Sequence, residues 1–291
     1  MIKFVKYQKV CLAFTLLAMA FGAWGYWHNG GFVYGIDFMG GTEVRVQFAQ
    51  DVDIATLRAC VGNSATGFEG VSIQNVDGEK QFIIKISEQS GLTGVAIQER
   101  LENLLQEKIA SPYQVLAVEH VGPEAGKEVR WNTMISILLV LAAMLAYIAV
   151  RHRYDYAVGA VVSLAHDVII MLAFCLVFCV PLTLNILAAI LALIGYSLND
   201  TIVVFSRIKD NIKLHNLSKE DLVDLSINQT LTRTLLTSFA TFLSMLALFT
   251  FGGAVLRDFA LTMMIGIVVG TYSSIYIASP VMLLLSPEKG L

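Results

Sequence analysis

The chain has 291 residues, 56% hydrophobic and 15% charged, with a mean hydropathy of +0.67, too apolar for an ordinary soluble domain. Its formal charge of −3, from 23 acids and 20 bases, excludes a nucleic-acid footprint and a polyacidic tail. Residues 28–130 alone hold 14 acids and 8 bases, so one polar domain interrupts an otherwise apolar, membrane-embedded chain.

A helix crossing about 30 Å of hydrocarbon needs about 20 apolar residues. Six stretches qualify: 10–27, 132–150, 157–179, 184–205, 234–252 and 259–285. Six crossings put both termini on one side, and the bases of the short loops choose which. Lys3, Lys6, Lys9, Arg151, Arg153, Arg207, Lys209, Lys213, Lys219, Arg233 and Lys289 stand against Arg257 alone. By the positive-inside rule, residues 1–9, the loop 207–232 and residues 286–291 are cytoplasmic, and the domain 28–130 lies outside. Trp24, Trp27 and Trp131 fall where the first two helices meet the outer interface, a belt independent of the charge count. The first segment has signal-peptide features, a basic start and Ala18 and Ala20 at a cleavage-like spacing. Its apolar run continues through Phe21 and Trp24, which favours a retained helix.

Within the outer domain, Val44, Val46 and Phe48 alternate along a strand from Thr42 to Phe48, and Asp53 caps a short helix to Cys60. Val71–Val76 and Gln81–Ile86 read as strands around a turn at Asp77 and Gly78. Leu92–Ala110 has helical spacing, and Tyr113–Val121 closes with a strand. The order βαββαβ is the ferredoxin-like split unit. Cys60 is the only cysteine there, so no disulfide framework exists, while Cys175 and Cys179 are spaced to share a face of the third membrane helix. His120 has no cysteine or carboxylate at ligand spacing and reads as structural. Gly35-Ile-Asp-Phe-Met-Gly-Gly-Thr42 resembles a phosphate loop only superficially, since it lacks Lys-Ser/Thr and precedes a strand. No Walker motif, metal-ligand spacing or nucleophile–base pair occurs, so neither metal, cofactor nor enzyme chemistry is expected.

Polar groups at mid-bilayer are costly and mark pathways or relays. The third helix carries His166 and Asp167, the latter on a face with Gly159 and Ser163. The fourth carries Tyr196, Asn199 and Asp200; the fifth begins at Arg233 and repeats polarity at Thr237, Thr241 and Ser244. Desolvation favours a neutral carboxylate and a guanidinium favours a charged one, so a carboxylate between the two can load and release protons. Asp200, Asp167 and His166 are the relay candidates, with a static polar cluster as the plainer account. Tyr196 and Asn199 suit helix–helix hydrogen bonds. Thr262, Gly266, Gly270 and Ser273 form a small-residue packing face on the sixth helix. Ser218-Lys-Glu-Asp221 is a capping-box pattern opening an amphipathic helix that leads into Arg233.

Taken in order, GIDFMGGT (Gly35–Thr42), VGPEAGKE (Val121–Glu128), the pair His166-Asp167, GYSLNDTIVVFSRI (Gly195–Ile208) and TRTLLTS (Thr232–Ser238) resemble the SecD/SecF family of the resistance-nodulation-division (RND) superfamily. The resemblance implies an α-helical polytopic protein of the bacterial inner membrane. Its six-helix RND-type bundle, 10–27 with 131–285, would carry a periplasmic ferredoxin-like domain at 28–130. It also implies a heterodimer with a SecD-like six-helix protein, association with the Sec translocon channel, and contact with translocating unfolded polypeptide under the proton-motive force. In that family Asp200 and Arg233 would matter for proton flow, and Gly35, Asp37, Gly40, Gly41 and Thr42 are motif positions. Ser206 stands where the family usually has Asp. An RND-type exporter half or a membrane scaffold is the alternative, though an exporter would normally carry both halves and larger outer domains.

Overall fold

The structure, a computed structural model, describes residues 2–62, 68, 71–76, 80–87, 94–109, 111–151 and 153–286, without the side chains of Ala254 and Val255. The turn expected at Asp77 and Gly78, the helix ends expected at Leu92 and Ala110, and Lys289 lie outside the described residues.

The apolar stretches form helices α1 (Phe4–Asn29), α5 (Pro123–Arg151), α6 (Tyr154–Val177), α7 (Leu184–Leu214) and α8 (Lys219–Phe251). A sixth path runs through α9 (Gly253–Ser273), a π-helical turn (Ser274–Ala278) and α10 (Ser279–Leu285). All six are long and apolar enough to cross a membrane. Several run past the length a bilayer requires because hydrogen bonding continues where burial no longer demands it. The expected loop at 207–232 is therefore mostly helix: α7 extends to Leu214 and α8 starts at Lys219. Ser218 caps α8 by accepting from Asp221 N at 3.2 Å. Pro280 has no N–H to donate and sits at the start of α10, just after the π turn. Cys179 does not share a helix face with Cys175, because α6 ends at Val177 and Cys179 takes φ 53° beyond it.

The small domain holds α2 (Ile36–Met39), β1 (Gly41–Phe48), α3 (Ile54–Val61), β2 (Ser72–Asn75), β3 (Gln81–Ser87), α4 (Gly94–Lys108) and β4 (Tyr113–Val121). The sheet order is β2-β3-β1-β4 with every neighbour antiparallel, the arrangement of a split βαβ fold. Asp53 occupies the cap position of α3 but makes no side-chain cap bond. Period-2 alternation sends Val44, Val46, Phe48, Phe82, Ile84 and Ile86 onto one face, where Leu57 of α3 and Leu101 and Leu105 of α4 cover them. The opposite face carries Glu43, Arg45 and Lys85 and stands over Pro181–Asn185 and Asp258 at the end of the bundle, with about 280 Å³ between them. Glu43 is buried there and is paired by Lys85 at 3.3 Å and Arg45 at 3.2 Å, as a buried carboxylate requires.

Candidate functional site

Many of the bundle's buried polar side chains gather around two of its buried carboxylates, Asp167 and Asp200. Asp167 of α6 is fully buried, and its Oδ2 accepts from Ser197 Oγ of α7 at 2.6 Å and from Ser273 Oγ of α9 at 2.9 Å. Its Oδ1 lies 3.0 Å from His166 Nδ1. His166 Nε2 in turn is 3.4 Å from Thr15 Oγ1 of α1, which meets the Tyr272 hydroxyl at 3.3 Å. The Tyr272 hydroxyl donates to the carbonyl of Cys11 at 2.7 Å. A hydrogen-bonded chain thus runs from the middle of the bundle toward the N-terminal half of α1, joining four helices. Such a chain satisfies every member in a medium that offers no water.

Asp200 lies one turn along α7 from Ser197 and is also buried. Its Oδ2 accepts from Ser238 Oγ of α8 at 3.4 Å. Ser238 receives the Tyr196 hydroxyl at 3.1 Å and shares a hydrogen bond of 2.7 Å with Thr271 Oγ1 of α9. Ser238 therefore ties α7, α8 and α9 together at the carboxylate. Arg233 forms no ion pair with Asp200 among the described residues; it lies exposed on α8. Thr237 and Thr241 turn their hydroxyls back to carbonyls of their own helix, at 3.0 to 3.1 Å and 2.9 Å. Asn199 is exposed, and among the described residues no side-chain hydrogen bond of Asn199 links helices.

This second cluster therefore lies beside a bundle face that the chain leaves open. On α7 the exposed positions Ala188, Ala192, Gly195 and Asn199 fall at helical spacing, and a Cβ at Gly195 would meet nothing within 4 Å. The adjoining face of α8 exposes Leu236 and Phe239.

The glycine-rich segment serves as a joint. Gly35 N donates to Leu182 O at 2.7 Å and Leu182 N to Val33 O at 2.8 Å, a short parallel bridge between the segment before β1 and the segment before α7. Asp37 Oδ2 accepts from Leu184 N at 3.0 Å, so a residue of α2 caps α7 from outside. Gly40 and Gly41 take φ of 84° and 152°, and Gly40 packs on the backbone of Gly122 and Pro123 at the start of α5. Thr42 Oγ1 bonds His120 Nδ1 at 3.1 Å, a structural contact between β1 and β4.

The sequence pattern alone does not assign Ser197, Ser238 and Ser273 to the carboxylates they meet, nor Thr15, Thr271 and Tyr272 to the hydrogen-bonded chains that extend from them. The spacing of Ser273 with Gly266 and Gly270 predicts packing alone. Gly270 does pack closely on Ser197, where an added Cβ would come within 3.0 Å of the Ser197 Cβ. That close approach is what brings Ser273 within reach of Asp167. An isolated hydroxyl in an apolar run, such as Thr15, was the available signal.

Residues 101–288 match the family described as protein export membrane protein SecD/SecF, C-terminal, and residues 29–52 match the SecD/SecF GG motif. The chain is 42% identical over 253 residues to the protein translocase subunit SecF of Calditerrivibrio nitroreducens, covering 84% of this chain and 81% of that one. It is 36% identical over 288 residues to the SecF of Pseudomonas aeruginosa, covering 98% and 92%. Among solved structures it is similar to SecDF, a translocon-associated membrane protein from Thermus thermophilus, with TM-score 0.83 and 37% identity. That alignment covers 97% of this chain and 38% of the longer SecDF chain. A structure of SecDF in a super-membrane-facing form aligns with TM-score 0.72.

Proposed function

Because the chain belongs to the SecD/SecF family, as a SecF-like accessory subunit of the Sec translocon, we propose that it uses the proton-motive force to promote protein translocation across the bacterial inner membrane. Asp200 is the group that takes up and releases the proton. The observation that carries this reading is the setting of Asp200: a buried carboxylate, held by one hydroxyl from a neighbouring helix, beside a bundle face left open. A SecD-like six-helix bundle completes that face and encloses Asn199 and Arg233. This role accords with the 38% share of the longer SecDF chain that the present chain covers.

The consequence of protonation follows from α7. Neutral Asp200 loses its charge, and with it the reason for any partner cation to stay close. A shift of α7 relative to α8 and α9 follows, since Ser238 links all three. Leu184, sixteen residues up the same rigid helix and about 24 Å away at the helical rise, is bonded to Asp37, and the adjacent Leu182 is bonded to Gly35. Motion at the carboxylate therefore reaches the joint from which β1 springs, and through it the domain that alternately holds and releases an emerging polypeptide on the periplasmic side.

The test is export into inverted membrane vesicles with and without an imposed proton gradient. Asp200→Asn, a permanent mimic of the neutral state, should abolish the gradient-dependent part at equal membrane abundance. Arg233→Lys should also impair it, because an ammonium does not reproduce the planar guanidinium fork. Undiminished gradient-driven export by Asp200→Asn would reduce this residue to a structural contact.

A further inference from the structure

A second feature lies at the domain end of α7, about 15 Å along the helix from Asp200 at the helical rise. Between α5, the start of α7 and the segment before β1 runs a groove of about 420 Å³, the size of an ordinary small-ligand site. Met134 and Ile137 of α5 and Leu187 and Ile190 of α7 line its depth, and Tyr34 and Trp131 stand nearer the domain. Lys127 and Arg130 line the same end, one turn apart on α5. The Arg130 guanidinium lies 5.4 Å from the centre of the Tyr34 ring. Among the described residues neither base is ion-paired, although Glu124 and Glu128 are on the same helix.

The groove runs along α5. Lys127 and Arg130 lie at the domain end of α5, while Ile137 is seven residues beyond Arg130, about 10 Å deeper at the helical rise. Its side is open toward lipid, since Met134, Leu138 and Leu139 on the adjoining face of α5 are exposed and apolar. An extended peptide entering there would carry a backbone N–H and C=O at every residue into a wall that, below Tyr34, Trp131 and the two bases, is mostly apolar. A hydrocarbon chain carries none, and two cations that no carboxylate pairs among the described residues call for a negative headgroup.

We propose that this groove binds one anionic phospholipid of the leaflet on the domain's side, its acyl chain lying between α5 and α7 and its phosphate held by Lys127 and Arg130. The VGPEAGKE segment, which has no part in the carboxylate clusters, thereby supplies one of the two headgroup contacts, and bound lipid stabilises the end of α5 against which Gly40 packs.

The test uses the full chain with its co-purifying partners in vesicles that contain phosphatidylglycerol or phosphatidylcholine carrying a photoactivatable acyl chain, with adducts mapped by peptide mass spectrometry. The expected result is labelling of residues 131–137 and 186–190 that favours phosphatidylglycerol by about fivefold for each base, the ratio that about 1 kcal/mol of attraction per base gives. Lys127→Gln with Arg130→Gln should equalise the two lipids, and the charge-keeping pair Lys127→Arg with Arg130→Lys should keep the preference. Equal labelling of the native chain by both lipids, a preference that survives the double Gln variant, or absence of adducts in both segments because protein covers the groove would each overturn the proposal.

Discussion

Asp167 and Asp200 are both buried, yet their surroundings differ in a way that separates their roles. Asp167 accepts from two serines and faces His166, whereas Asp200 holds one longer hydrogen bond to Ser238. Replacing Asp167 by Asn keeps one oxygen for the two serines but removes the charge they donate to and sets an amide N–H against His166 in place of an oxygen, and weakening a buried arrangement of that kind costs about 1–3 kcal/mol. Asp167→Asn should therefore lower the thermal unfolding midpoint of the purified protein and impair export partially, while Asp200→Asn leaves the midpoint near normal. Equal midpoints for Asp167→Asn and the native chain would refute this division. A second residue-scale expectation concerns thiols. Burial pushes the Cys60 thiol above its ordinary value, and Lys108 draws it only part of the way back. A raised value means less thiolate at any given pH, so maleimide should modify Cys60 far more slowly at pH 8 than it modifies the exposed Cys179. The difference should vanish in denaturant, and comparable rates in the folded protein would show that Cys60 is not enclosed by α3 and the sheet.

At the scale of elements, the joint between domain and bundle depends on backbone that side chains would obstruct. A Cβ on Gly41 would lie 2.5 Å from the carbonyl oxygen of Ile86, and the residue has φ 152°. A Cβ on Gly122 would meet nothing within 4 Å. Gly41→Ala should cost about 1–3 kcal/mol and loosen β1 from β3, whereas Gly122→Ala should stay within about 0.5 kcal/mol of the native chain. Limited proteolysis of the domain in intact membranes distinguishes them; matching digestion rates would show that the joint tolerates a side chain at both positions. The start of α8 was readable beforehand, because Ser218 and Asp221 are near neighbours whose bond needs no tertiary contact. The π turn was not, since it arises where the path through Ser273 must both face Asp167 and continue toward α6.

For the whole molecule, the open face and the orientation lead to separate measurements. A small-residue stripe permits close helix approach in a membrane, and exposed Asn199 and Arg233 would otherwise face hydrocarbon. Purification in mild detergent should retain a second six-helix membrane protein. Gly195→Leu should reduce that recovery without unfolding the chain, because the added side chain projects into space that this chain leaves empty; a stable and active monomer would refute the partnership. Orientation is tested by labelling intact cells with an impermeant maleimide. Cys179, exposed at the domain end of α6, should react, and a cysteine introduced as Lys213→Cys should not. Reaction at position 213 from the periplasmic side would reverse the assigned topology.

Six apolar runs, the alternation of Val44, Val46 and Phe48, and the spacing of Leu101 and Leu105 were determined by the sequence itself, because membrane length and pleat or helix period act on neighbouring residues. The costly carboxylates were visible for the same reason: a charge in an apolar run stands out without any fold. Which groups meet them was decided only by tertiary structure. Thr15 and Tyr272 are 257 positions apart, and they meet because α1 packs beside the path of α9. Ser273 reaches Asp167 where α9 approaches α7 at Gly270, and Ser238 reaches Asp200 where α8 packs beside α7, while Arg233 is exposed and forms no ion pair with that carboxylate among the described residues. Hydroxyls carry no charge to betray them and cost little to bury once a distant carboxylate accepts their hydrogen bond, so their role exists only after the helices have packed.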